Sequence, residues 1–183
     1  ILVVSQVATL LAVAWGGFFG ILFGFLGGWI DEVAMRIVDA LMSIPGFLLM
    51  MLFVMALGTS PVVLILILSY GFGLGVIRIA RGATLAFVAR DFISAARARG
   101  ERTASIVFRE LIPNVLDVLL VEYALRSSWM LLELAGLSFL GLGISPPTPD
   151  WGLMISENRT RLAVAPWATL YPAIALTSLG IGI

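Results

Sequence analysis

Asp117, Glu122, Arg126 and Glu133 are the residues of this 183-residue chain whose placement most demands a chemical reason, because they interrupt an otherwise apolar run of about Val115 to Leu137. A charge at the centre of a bilayer costs roughly 3 kcal/mol on insertion scales, so each of these side chains must face protein or water. Glu122 and Arg126 stand four apart and can pair along one helix face. Asp117 is near enough to one end of the run to be solvated. Glu133 has no partner close by in the sequence, so it is a candidate both for lining a path through the membrane and for tying down the loop that follows. Covalent chemistry has little to work with. The chain has no His, no Cys and no Lys, which removes imidazole bases, thiolate nucleophiles, Cys/His zinc sites, disulfides and the phosphate-binding loop ending in Gly-Lys-Ser/Thr. Carboxylates and hydroxyls remain, without a paired arrangement suited to general acid–base catalysis. A protein that is not itself an enzyme is expected.

The elements that hold these residues are membrane helices. Apolar residues make up 61% of the chain and charged residues 12%, with a mean hydropathy of +1.10; too few polar residues remain to coat a water-soluble core. The net charge of zero gives a nucleic-acid partner no electrostatic footprint. The uncharged run from Ile1 to Ile30 is long enough to span the hydrocarbon. Two further spans, roughly Asp39 to Leu57 and Val62 to Ile77, are separated by the turn residues Gly58-Thr59-Ser60-Pro61. The segment from Arg78 to Pro113 carries seven Arg residues and belongs in water. Val115 to Leu137 forms the next span, a Gly/Pro/Ser-rich loop follows, and a last apolar run begins near Trp167. Trp151 and Trp167 bracket that region as interfacial aromatics would. Arg36 and the seven Arg residues from Arg78 to Arg109 lie on one side of the membrane and only Arg159 and Arg161 on the other, which makes 78–113 a cytoplasmic loop and 138–166 an external one. The expected architecture is all-α: a polytopic transmembrane helical bundle forming a single domain over 1–183. The chain reads as a fragment, with a first transmembrane helix and a C-terminal end missing.

Two patterns stand out within this frame. Gly16, Gly20, Gly24 and Gly28 recur every fourth residue, a small-residue stripe that lets helix backbones approach closely in lipid; packing within the chain is the ordinary reading and a subunit interface the alternative. The run Asp91-Phe92-Ile93-Ser94-Ala95-Ala96-Arg97-Ala98-Arg99-Gly100, followed by Ile112-Pro113, places two alanines in a short helix that can sit deep in a groove of a partner. Gly100 then permits a sharp turn, and the arginines can bridge to acidic groups. An ordinary basic cytoplasmic loop is the plainer reading of the same residues.

That run resembles the coupling loop of binding-protein-dependent ABC importers, whose pattern is Glu-Ala-Ala, three residues, Gly, and later a hydrophobic residue with Leu-Pro. Leu137-Ser138-Phe139-Leu140-Gly141-Leu142-Gly143, Pro146-Pro147-Thr148-Pro149-Asp150-Trp151-Gly152 and Ala165-Pro166-Trp167 are similar to the external loop of the dipeptide, oligopeptide and nickel permease branch. Gly27-Gly28-Trp29, Asp31, Arg36, Asp39 and Ser43-Ile44-Pro45 match it too, in the same order. Ser94 stands where the pattern has Glu, and Ile112 where it has Leu.

The resemblance implies a type I importer permease fold in a multi-pass subunit of a bacterial or archaeal cytoplasmic membrane. It implies a pore-forming role in ATP-driven import of dipeptides or oligopeptides, with nickel chelates or other small solutes as alternatives. Implied partners are a second homologous permease, two cytoplasmic ATPase subunits that bind ATP and Mg, and an external solute-binding protein, in a lipid membrane and without nucleic acid. Ser94, Ala95, Ala96, Arg97, Gly100, Ile112 and Pro113 would couple to the ATPases; no cofactor, metal or catalytic residue is expected in this chain. A rival of another class is an ion-coupled secondary transporter, kept open by Glu122 and Glu133. A membrane scaffold or lipid-modifying enzyme is a third.

Overall fold

A computed structural model describes residues 1–144 and 146–182; Ser145, inside the expected external loop, and Ile183 lie outside the described residues. The described residues are helical and contain no strand. The α-helices are α1 (Leu2–Leu26), α2 (Gly28–Met42), α3 (Gly46–Leu57), α4 (Pro61–Val88), α5 (Asp91–Ala98), α6 (Thr103–Ile106), α7 (Ile112–Phe139), α8 (Trp151–Asn158) and α9 (Trp167–Gly182). α1 and α4 are each long and apolar enough to cross a bilayer, and α2 and α3 meet that test only as a bent pair, as a broken span or a re-entrant loop would.

Several boundaries differ from those expected. The first apolar run does not continue to Ile30: α1 stops at Leu26, and Gly27 and Gly28 both take positive φ. Such backbone is open to glycine and strained for other residues. Gly28 therefore leaves the glycine stripe and starts α2. The span expected over Asp39 to Leu57 is broken at Ser43-Ile44-Pro45, where Pro45 precedes α3 and cannot donate to a helical ladder running through it. α4 runs to Val88 rather than ending near Ile77, so Arg78 and Arg81 are helix residues, not loop residues. Arg is a good helix former, and nothing between Arg78 and Val88 breaks the helix. The helix α8 was not expected within the loop at all.

The chain forms two compact units. One comprises Ile1–Leu10, Pro45–Gly71 and Ala124–Ile183; the other comprises Leu11–Ile44 and Phe72–Tyr123. In the second unit α1 lies against α4. A Cβ on Gly16 would come within 2.5 Å of the Gly73 carbonyl, one on Gly20 within 2.5 Å of the Ile77 carbonyl, and one on Gly24 within 3.0 Å of the Arg81 carbonyl. Three of the four stripe glycines thus serve packing within the chain, as small residues do in lipid. Ile21, Phe25, Val76 and Ala80 continue this contact into a core shared with Ile93 and Ala96 of α5 and with Ile106, Leu111 and Val115. In the first unit α8 packs on α9, and Leu131, Ala135 and Leu176 are buried together with Trp151 and Ile155 against them.

Candidate functional site

The segment between α4 and α7 is built from its backbone outward. α5 is eight residues long, and its repeat divides it into two faces. Ile93 and Ala96, three apart, have no exposed surface, whereas Ser94, Ala95, Arg97 and Ala98 are exposed. This corrects the pair of alanines expected to enter a partner: Ala96 is in this chain's own core, and Ala95 alone of the two is free to meet another protein. The periodicity of 3.6 residues makes the division unavoidable once Ile93 is buried.

α5 ends as its glycine dictates. Gly100 has φ of 73°; its N–H donates to the Arg97 carbonyl at 2.9 Å and the Glu101 N–H to the Ala96 carbonyl at 3.2 Å. These are the two bonds of a Schellman cap, which needs a left-handed residue at this position. Arg99 then donates to Glu101, with Nη2 to Oε1 at 2.6 Å and Nε at 3.0 Å. That hydrogen-bonded guanidinium holds the Glu101 carboxyl below the usual carboxylate range, with Ser105 and the charge of Arg109 adding to it against a smaller opposing effect of burial. On the inner side the Arg97 guanidinium lies 4.9 Å from the centre of the Phe25 ring, a cation–π contact that ties α5 to the end of α1.

Ile112 and Pro113 fall at the start of α7. Val107–Leu111 ahead of them is a π-helical turn. Pro113 has no N–H, and its ring would crowd the carbonyl four residues back, so a widened turn relieves the conflict. Asn114 Nδ2 donates to the Glu110 carbonyl at 2.6 Å. Pro113 is exposed and Ile112 half-buried; both shape the start of α7, and Ile112 packs against the core that holds Ile93 and Ala96 of α5.

Two aspartates that sequence reasoning left without a role carry the remaining polar structure. Asp31, in the first turn of α2, is buried and receives a two-pronged hydrogen-bonded ion pair from Arg81 of α4: Arg81 Nε donates to Oδ1 and Nη2 to Oδ2, the latter at 2.5 Å. Arg78 reaches Asp39 at 3.8 Å, with both side chains exposed. Asp150, 1% exposed, caps α8: its Oδ1 accepts from the Gly152 N–H at 2.8 Å and the Leu153 N–H at 3.2 Å, while Oδ2 accepts from the Ser138 hydroxyl at 2.9 Å. The run Asp150-Trp151-Gly152 carried a start signal for α8 in its N-cap residue. Glu133 is half-buried in α7 and makes no hydrogen bond or ion pair among the described residues, whereas the loop after α7 is fastened by Ser138 and Asp150. No group of three or more His, Cys, Asp or Glu able to hold a metal occurs among the described residues.

The described residues, all helical where regular, with two helices long and apolar enough to cross a bilayer and a two-faced helix in a basic segment, have the construction of a membrane protein. The chain belongs to the family of binding-protein-dependent transport system inner membrane components, whose family model matches residues 16–183. It has the type I ABC permease fold of that family. Among curated proteins it is similar to the glutathione transport system permease protein GsiD of Pectobacterium atrosepticum, 32% identical over 169 residues, which is 92% of this chain and 56% of that protein. It is also similar to the protein of that name from Escherichia coli O1:K1, 36% identical over 149 residues, or 81% of this chain and 49% of that protein. The chain spans about half the length of these relatives.

Proposed function

We propose that this chain forms part of the pore of an ATP-driven importer for peptide-like solutes, among them dipeptides, oligopeptides and glutathione. It would pair with a second permease subunit, be driven by two ATPase subunits, and receive solute from a binding protein outside the cell. The observation that carries this reading is the divided α5, with Ile93 and Ala96 fixed in the core, Ser94 and Ala95 presented outward, and the exposed Arg97 folding its guanidinium back over the Phe25 ring. A helix held rigidly from behind can pass on a displacement applied to its front, which is what an ATPase closing on ATP would deliver. Gly100 sets where that helix stops, Ile112 and Pro113 set the start of the helix that continues from it, and Ala96 anchors it. Segment 78–113 lies at the cytoplasmic face in this reading and 138–166 outside, in line with the Arg asymmetry. Glu133, without a partner among the described residues, is assigned to the solute path.

Reconstitution tests the reading. The full-length protein, assembled with its partners in proton-leaky, sodium-free proteoliposomes, is expected to take up radiolabelled glutathione or an alanyl dipeptide only when ATP is supplied on the ATPase side. Uptake that needs an ion gradient and ignores ATP would instead identify an ion-coupled transporter.

A further inference from the structure

α2 is joined to the rest of its unit in an unusual way. The chain enters it through Gly27 and Gly28, both at positive φ, and nothing lies within 4 Å of where a Cβ would stand on either. Two adjacent glycines in open space leave the direction of the next helix weakly determined by the backbone. Much of α2's surface is also outward: Trp29, Ile30 and Ile37 are exposed, and Val38 and Asp31 are its buried residues. Glu32 and Arg36 pair with each other along α2 itself. Two arginines of α4 reach α2. Arg78 makes long, exposed contacts with Asp39 and Met42, each at 3.8 Å. Arg81 grips the buried Asp31 carboxylate with both prongs, the close and directional contact of the two.

Arg81 is not an arbitrary anchor. Its backbone carbonyl faces Gly24 of α1, and its neighbour Ala80 is in the core that holds Ile93 and Ala96. Phe25, next to Gly24, is the ring beneath Arg97. Within this one unit, therefore, α5 sits on the ends of α1 and α4, and Arg81 extends from that platform to α2. A removed-from-water ion pair contributes little net stability when compared with apolar packing, because desolvation offsets its attraction. What a planar guanidinium and a carboxylate do supply is a fixed mutual orientation.

We propose that the Asp31–Arg81 fork is a positioning pair for transport: it fixes the direction of α2 on the platform that carries α5, so that displacement of α5 moves α2 instead of being lost in the Gly27-Gly28 joint. The inference rests on the importer reading given above. It makes the two residues partners in coupling, with neither touching solute or ATPase.

The test is the ratio of solute taken up to ATP hydrolysed in proteoliposomes holding the assembled transporter, with radiolabelled glutathione or an alanyl dipeptide as the probe. A merely structural pair would change uptake and hydrolysis in proportion to the amount of folded complex and leave the ratio alone. In Asp31→Asn the ratio is expected to fall about fivefold, and the exchanged pair Asp31→Arg with Arg81→Asp is expected to recover most of it. Arg81→Lys, which keeps the charge and removes the fork, guards against a variant that does not assemble; its ratio should fall as well, about twofold. An unchanged ratio in Arg81→Lys, or in assembled Asp31→Asn, would overturn the proposal. Wild-type protein with no ATP-dependent uptake at all would count against the importer reading and not against the fork.

Discussion

Two helices in this molecule stop in the same way and lead to opposite surroundings. α5 ends at Gly100 and α7 ends near Gly141, each glycine left-handed, at φ of 73° and 80°. Beyond α7 the Gly141 N–H donates to the Ser138 carbonyl and the Leu142 N–H to the Leu137 carbonyl at 2.8 Å, the same two bonds as at Gly100. After Gly100 the chain stays at the surface, with Arg99 and Glu101 paired there, and α5 keeps an outer face uncovered. After Gly141 the chain turns back on itself: Asp150 is buried under Ser138, and Gly152 sits so close to the Ala135 carbonyl that any Cβ would collide with it. A shared stop signal thus says where a helix ends and nothing about what the next segment does. That is decided by whether the polar groups beyond it are satisfied inside the chain or left available to another protein.

The sharpest way to break this contrast is to place a charge on each face of α5. Ala96→Glu forces a carboxylate into a site with no exposed surface, and it should destabilise the protein by about 4 kcal/mol or leave it unassembled in the membrane. Ala95→Glu, one residue earlier on the exposed face, should change thermal stability in detergent by less than about 0.5 kcal/mol while releasing the ATPase subunits on purification. Equal stability loss in the two variants would erase the division of the helix.

At the other cap, Asp150→Ala strips acceptors from the Ser138 hydroxyl and from the Gly152 and Leu153 N–H groups. The expected cost is about 2–3 kcal/mol, read as a lower midpoint of thermal unfolding and faster proteolysis within 138–166. Asp150→Asn, which retains one acceptor oxygen, should lose less than half as much.

Gly100→Val and Gly141→Val compare the caps directly. Both force a β-branched residue into left-handed backbone, worth about 1–2 kcal/mol, and neither site has atoms within 4 Å to add a clash. Their unfolding midpoints should therefore shift alike, while Gly100→Val alone uncouples ATP hydrolysis from uptake. The smallest effect concerns Glu101. Its carboxyl titrates below the ordinary range because Arg99 stabilises the charged form. The stabilisation it gives is present above the unfolded-chain value and is lost as pH falls through the lowered folded one. Hydrogen exchange at the amides of Gly100 and Glu101 should accordingly rise only under acid conditions, and Glu101→Gln should show the faster exchange already at neutral pH.

Local signals carried much of this structure in the sequence, and long-range pairing carried the rest. Gly100 and the turn residues Gly58-Thr59-Ser60-Pro61 mark helix ends through backbone chemistry that is readable one residue at a time. The division of α5 was also present, in the three-residue spacing of Ile93 and Ala96, but two adjacent alanines look equivalent until one knows which neighbour is buried. The end of α4 is not legible locally, because Arg78 and Arg81 resemble the start of a watery loop. Arg81 stays in a spanning helix by pairing with Asp31, 50 residues earlier, and no window along the chain contains both. α8 was hidden by the prolines ahead of it, although Asp150 announces its first turn.

The coupling role of α5 requires its outer face to be the surface that another protein covers. Because the chain has no native cysteine, Ala95→Cys and Ala96→Cys can each be treated with a maleimide in inside-out membrane vesicles, before and after the ATPase subunits are assembled. Cys at position 95 should react readily in the permease alone and become protected on assembly, whereas Cys at position 96 should stay unreactive throughout. Undiminished labelling at position 95 in the assembled, ATP-hydrolysing complex would contradict the proposed coupling surface.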